Sequence, residues 1–339
     1  MSTTGTTATV PRPRPGFTPA SAFRIAGPTT GAAGALILLS IYNAFFTTNF
    51  LTLATLRVNL TQVSTIVLVA VGMTFVIATG GIDLSVGSLM AISGAIAPLI
   101  FLSHQWPLGS DWIAVPVAIV VAILVTGLFG LFNGVLVTRF EIQPIVATLV
   151  LFLGGRGIAK ALLHGELRHF KEPHFDYIGT GRPFGIPVQV LLMLIVVAVA
   201  AWAMRSTSFG RYVLATGGNE NAARLAGVPV NRIRLVVYAI SGLLAGLAGL
   251  IVISLNSSTD PNLVGINMEL NAIAAAAVGG TVLTGGRATV VGTLVGAVLV
   301  HQLRYTLISH GVADGTTRMV TAAAILGAVL LQQARRGGD

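Results

Sequence analysis

The chain has 339 residues, 54% of them apolar and only 9% charged, with a mean hydropathy of +0.86 and a formal net charge of +9. A soluble domain is about a quarter charged, so this composition cannot cover a water-facing surface and defines an integral membrane protein. There is no cysteine, which excludes disulfides, thiol chemistry and Cys-metal sites.

The long apolar runs are continuous rather than alternating, so the spans are helices and not barrel strands. The positive charge then reflects Lys and Arg retained on the cytoplasmic side rather than a nucleic-acid partner. Residues 1–28 are rich in Thr, Pro and Arg and lack the compact apolar core of a cleaved signal peptide. They are expected to form a disordered cytoplasmic tail. A membrane domain over 29–333 follows, and 334–339 form a second cytoplasmic tail.

Ten spans are predicted, each near the ~20 residues a bilayer core needs. They run over 30–48, 59–79, 85–103, 112–137, 143–163, 184–204, 234–255, 267–284, 289–309 and 318–333. The expected fold is an all-α, polytopic membrane bundle of about ten transmembrane helices. With both termini inside, Arg139, Arg205, Arg211, Arg224, Arg232, Arg234 and Arg287 are cytoplasmic, while the outer loops 104–111, 256–266 and 310–317 hold no Lys or Arg. The outer loop 164–183 dissents, with Arg168, Lys171 and Arg182 beside Glu166, Glu172 and Asp176. Its His164, His169 and His174 are five apart, which is not the spacing of a helical metal pair, and no metal is expected.

The second and third spans are joined by ATGGIDLSVGSL, residues 78–89. Gly80 and Gly81 suit a helix end, because Gly accepts the left-handed conformation there. Asp83 or Ser85 suits the N-cap of the next helix, whose dipole favours an acid. The frame returns 205 residues later: TGGIDLSVGSL aligns with TGGRATVVGTL, so Gly80, Gly81 and Gly87 match Gly285, Gly286 and Gly292. Ala288 stands where Asp83 does, so the turn forms without the acid. Asp83 is therefore open to three readings: a cap alone, a contact with a cytoplasmic partner or another helix, or proton or substrate chemistry. The cap, turned toward the cytoplasmic side, is the expectation.

Small residues recur four apart in several spans: Gly130 and Gly134; Ser241, Ala245 and Gly249; Gly242 and Gly246; Gly292 and Gly296. Such rows let helix backbones approach closely, either within one subunit or between two.

The loop 205–235 is the longest cytoplasmic segment between spans. Asn219 is placed to cap a short helix that starts near Glu220 and ends by Gly227, before Pro229. In this stretch NENAARLAG resembles the coupling helix of ABC importer permeases. Ala222, Ala223 and Gly227 match its Ala-Ala-x-x-x-Gly motif. Asn221 stands where the general motif has Glu, and Glu220 lies one place earlier. The resemblance continues from about residue 55 to 333, through ATGGIDLSVGSLMAISGAI, GLFNGVLVTRFEIQPIVATLVL, GGRGIAKAL and ELNAIAAAAVGGTVLTGGRATVVGTLVGAVL. These look like the ribose/xylose/galactose-type sugar permeases. FNGVLVTRFEIQPIVATL and RGIAK look nearest to galactofuranose permeases. Residues 1–50 and 301–311 depart most from that pattern.

The resemblance implies a bacterial inner-membrane permease, not an enzyme, working as one of two permease subunits with a cytoplasmic ATP-binding subunit and an extracytoplasmic sugar-binding protein. It also implies that Glu220, Asn221, Ala222, Ala223, Arg224 and Gly227 dock on the ATPase. The phosphate-cradling G-x-x-x-x-G-K-[ST] loop is absent from the sequence, so ATP and Mg are expected on the partner and no cofactor on this chain.

A sugar pathway needs neutral hydrogen-bonding side chains inside the bundle. Asn59, Gln62, Asn133, Gln143, Asn271, His301 and Gln302 are the candidates, each equally suited to interhelical packing. Arg156 is expected to pair or cap rather than bind a neutral sugar. Two other functions compete: an amino-acid permease of the same ABC class, and an ion-coupled secondary transporter. The second needs ionisable groups near mid-membrane, whereas Asp83, Glu141 and Glu269 all read as lying at span ends.

Overall fold

The computed structural model describes residues 28–103 and 111–334, so both tails apart from Pro28 and Ala334 lie outside the described residues. The described chain is helical almost throughout. Its long helices are α1 (Pro28–Phe46), α2 (Leu53–Ala78), α3 (Val86–Phe101), α4 (Asp111–Arg139) and α5 (Pro144–Leu162). A two-residue strand β1 (Arg168–His169) and the short α6 (Pro173–Thr180) precede α7 (Val188–Ser206). Then come α8 (Ser208–Gly218), α9 (Glu220–Leu225), α10 (Val230–Asn256), β2 (Ser258–Thr259), α11 (Met268–Val278), α12 (Val290–Ser309) and α13 (Asp314–Ala334).

Seven of these helices are long and apolar enough to cross a membrane: α1, α2, α4, α5, α7, α10 and α12. The tenth expected span lies on α13, which is not among the seven, and the third and eighth also differ. In their places stand apolar helices of only 16 and 11 residues, α3 and α11. The apolar composition is as expected, but helix occupies only part of each stretch.

The reason is visible along α10. Its 27 residues extend for about 40 Å at 1.5 Å per residue. The small rows of α10 pack inside this one subunit. A Cβ on Gly130 of α4 would lie 3.1 Å from the Gly242 Cα, and one on Gly249 would strike the Met90 carbonyl and the Ser93 hydroxyl of α3. At Gly94, further along α3, a Cβ would lie 3.1 Å from the Ile253 side chain. α3 therefore runs parallel to α10, and it begins beside Ser241, about 16 Å from the inner end of α10. Its outer end is held by Phe101, whose ring centroid lies 5.3 Å from that of Phe170 and 5.0 Å from that of Phe175.

α11 is the counterpart. Beyond α10 the chain pairs β2 with β1 on the face opposite α9, Arg168 opposite Thr259. It then descends without helix until Gly265 meets Gly87 in the first turn of α3; a Cβ on either glycine would collide with the carbonyl oxygen of the other. α11 starts there and runs inward. At its inner end it turns into α12, with Gly279 against Gly292 and Ala275 against Gly296. Two half-length helices thus meet by their N-termini inside the bundle, one running outward and the other inward.

Candidate functional site

The segment between α7 and α10 forms from local signals. Asn219 takes extended dihedrals and its side chain accepts from the Ala222 N–H at 3.0 Å, the N-cap of α9. At the other end, Val228 N–H donates to the Ala223 carbonyl and Gly227 N–H to the Arg224 carbonyl, both at 3.0 Å, with Gly227 at φ +80°. This is a Schellman ending, and the left-handed Gly it requires is present. Glu220 ties α9 to α10: it accepts from Arg234 at 2.6 Å and from Arg224 at 2.8 Å, while Arg224 also donates to Asn231 at 2.8 Å. Burial pushes the Glu220 carboxyl up, but the bonds from Arg234 and Arg224 outweigh it and the net shift is downward. The two alanines divide. Ala223 is buried against its own chain, whereas Asn221, Ala222 and Gly227 are exposed and Leu225 projects with 91% of its surface accessible.

α8 carries this segment onto both glycine turns. The Gly286 N–H donates to the Ala78 carbonyl at 3.0 Å, and a Cβ on Gly217 would strike that same oxygen and lie 2.7 Å from Gly286 N. A Cβ on Gly285 would lie 2.9 Å from Gly80 N and 2.9 Å from the Gly217 carbonyl oxygen. The two copies of the TGG frame therefore touch each other and the end of α8, all on one face. That shared face agrees with their expected placement on one side of the membrane.

Asp83 requires a correction. It lies on the climb from the turn back to α3 and is fully buried, so it does not face a cytoplasmic partner. Its Oδ1 accepts from Ser85 N–H at 3.0 Å and Ser85 Oγ at 2.6 Å, and its Oδ2 accepts from Ser241 Oγ at 2.7 Å. Of the readings open for this acid, the inter-helix contact is the one the structure forms. Ser85 stands at the N-cap of α3, but its hydroxyl donates to Asp83 instead of capping the helix. Asn133 joins the same cluster, donating to Ser85 Oγ at 2.8 Å, and it too is fully buried. It links α4 to the α2–α3 turn and presents no open surface to a substrate.

Glu269 also departs from its expected place. It lies in the first turn of α11 where the half-helices meet, only 5% exposed, and its Oε2 has no hydrogen-bond partner. Arg156 of α5 holds the turn before α11, donating to the Pro261 carbonyl at 3.1 Å and the Val264 carbonyl at 2.5 Å. Asp83 and Glu269 are therefore inside the bundle rather than at span ends, and position alone no longer argues against an ion-coupled transporter.

The remaining polar candidates separate into two groups. Asn59 meets His301 at 3.2 Å, joining α2 to α12, and Gln302 donates to Ser40 at 3.1 Å, joining α12 to α1. Gln62 and Gln143 are exposed, and Asn271 is partly exposed. Sequence reasoning missed the roles of Ser241, Gly217 and Tyr238, whose buried hydroxyl sits 2.6 Å from a Cβ built on Gly81. Ser241 and its small row were legible as a packing signal, but its partner was not.

Seven membrane-capable helices with a capped, projecting helix on one face define a multi-pass helical membrane protein. The family described as "Branched-chain amino acid transport system / permease component" matches residues 55–331, and the chain belongs to it. It is thus a transport component rather than an enzyme. The ribose import permease protein of Escherichia coli (strain K12) is 40% identical over 305 residues, covering 89% of this chain and 92% of the relative. The galactofuranose transporter permease protein of the same strain is 34% identical over 276 residues, 81% of this chain and 79% of the relative. The L-arabinose ABC transporter permease protein of Azospirillum brasilense is 36% identical over 289 residues, 85% and 82% respectively. No solved structure matches the chain.

Proposed function

We propose that the chain is the translocating subunit of an ATP-driven, binding-protein-dependent monosaccharide importer in a bacterial inner membrane. A second permease copy, a cytoplasmic ATPase holding ATP and Mg, and an extracytoplasmic sugar-binding protein complete the transporter. The observation that carries this reading is the relatives' shared class: permeases for ribose, galactofuranose and L-arabinose each align over most of this chain. The short α9, fastened at both ends with Leu225 projecting, supplies a rigid knob for the ATPase, and the contact of the preceding α8 with both glycine turns gives the docking force a route to α2 and α12.

The test is reconstitution in vesicles with the ATPase and binding protein, measuring uptake of radiolabelled D-ribose, L-arabinose and galactofuranose. ATP-dependent uptake of one of them is expected. Uptake that persists without ATP would favour the ion-coupled rival. The family description favours a second reading, a branched-chain amino-acid permease, so L-leucine belongs in the same panel; leucine uptake without sugar uptake decides for it.

A further inference from the structure

An apolar groove separates α7 from α10. One wall is the row Ile195, Val199 and Ala203 on α7; the other is the row Val236, Ile240 and Leu244 on α10. Phe75 of α2 forms the back. Phe209 of α8 closes the end nearer α9, its ring centroid 5.8 Å from that of Phe75. No part of the described chain covers the opening: Ile195 is 60% exposed, Val199 57% and Val236 45%. The cavity measures about 420 Å³, and every residue lining it is apolar.

Its depth and width limit what can enter. Ala203 lies close to the last residue of α7, Ser206, and Val236 lies in the second turn of α10, so the groove begins near the face that carries α9. At 1.5 Å per residue each row spans about 12 Å, within the half of the membrane next to that face. Over that length the volume corresponds to a section of roughly 35 Å², too narrow for a helix ~10–12 Å across and suited to a single chain of methylenes.

The charge at the mouth complements the apolar walls. Arg232 stands one turn before Val236 on the same row of α10. It is exposed and enters no ion pair among the described residues; the Glu220 carboxylate is taken by Arg224 and Arg234 instead. Arg205 at the end of α7 and Arg211 on α8 are likewise exposed and unpaired among the described residues, which makes this end of the groove electropositive. A row that is apolar within the bilayer and ends in an unpaired guanidinium follows the order of a phospholipid, hydrocarbon first and phosphate at the surface. A guanidinium also matches phosphate geometrically, because its N–H groups meet two oxygens at once.

We propose that the groove between α7 and α10 binds one acyl chain of an anionic phospholipid, with Arg232 holding the phosphate. The chain braces Phe209 and with it the start of α8, the helix whose other end rests on both glycine turns. The site belongs to the chain itself and is independent of the solute that the transporter moves.

The test uses the full chain purified in detergent, offered phosphatidylglycerol or phosphatidylcholine in equal amounts and weighed by native mass spectrometry. Wild type is expected to retain phosphatidylglycerol about fivefold over phosphatidylcholine, the effect of one arginine at an anionic headgroup. Arg232→Gln should abolish that preference, whereas Arg139→Gln, at an exposed position on α4, should keep it. Val199→Trp fills the groove from an exposed position and should lose retention of both lipids. Equal retention of the two lipids by wild type overturns the proposal. So does an equal loss of preference in the two arginine variants, which would reduce the effect to overall charge, or undiminished retention in Val199→Trp. The chain has no cysteine, so Ile240→Cys reports on a protein occupant without background. It is expected to stay monomeric under oxidation in membranes; a disulfide-linked dimer would make the groove an interface between two copies and overturn the lipid site.

Discussion

Ser241 donates a hydrogen bond of 2.7 Å to Asp83 Oδ2 across 158 residues of sequence, and both side chains are closed to solvent. The bond fixes the start of α3 against the middle of α10. It explains why an acid can stand in this apolar region: its oxygens are met by two hydroxyls and an N–H. Ser241→Ala removes one donor and leaves a buried acceptor short, which costs about 1–3 kcal/mol. Thermal unfolding in detergent checks this, and a melting temperature equal to wild type would count against the role.

Asn133 tests the same cluster from α4. Asn133→Leu should lower thermal stability and membrane yield, because Ser85 loses a partner in a closed space. Gln143→Leu, at an exposed position, should leave stability within about 0.5 kcal/mol. Equal melting temperatures for the two variants would remove the distinction between a buried network residue and a surface one.

The contact between α8 and the glycine turns makes a sharp comparison between neighbours. A Cβ on Gly217 collides with the Ala78 carbonyl, whereas one on Gly218 finds its nearest atom, the Gly286 Cα, at 3.9 Å. Gly217→Ala should therefore destabilise by about 1–3 kcal/mol and reduce coupled transport, and Gly218→Ala should be tolerated. Proteolysis of the 208–225 segment reports whether it has come loose.

Gly227 has open space around it but a left-handed backbone, so the cost of replacing it is conformational. Gly227→Val should break the end of α9 and separate ATP hydrolysis from sugar uptake while membrane insertion stays normal. Gly227→Asn should keep more of the coupling, because Asn visits that conformation more readily. Equal coupling in the two variants is the outcome that defeats this account.

Glu220 makes the tether of α9 pH-dependent. Its folded pKa lies below its unfolded value, so the tether is complete at neutral pH and is lost as pH falls through the folded value. Hydrogen exchange over 219–228 should accelerate on acidification below the ordinary carboxylate range. In Glu220→Gln, which never carries the charge, exchange should be fast throughout and lack that step.

Much of this molecule was readable without coordinates. Composition alone settled the membrane and the helices, because so few charges cannot clothe a soluble surface. Asn219 and Gly227 marked the two ends of α9, since capping is chemistry between residues a few places apart. The small rows announced close helix packing. What the order of residues could not settle was depth. Apolar stretches at 85–103 and 267–284 read as full crossings, and α3 and α11 do start where expected, at Val86 and Met268, but those starts meet inside the bundle, where Gly87 touches Gly265 from a distant part of the sequence. Only that meeting carried Asp83 and Glu269 away from the rim and into the bundle. Hydropathy registers how much of a stretch is apolar; where a helix starts within the membrane depends on which distant backbone is close enough to replace water.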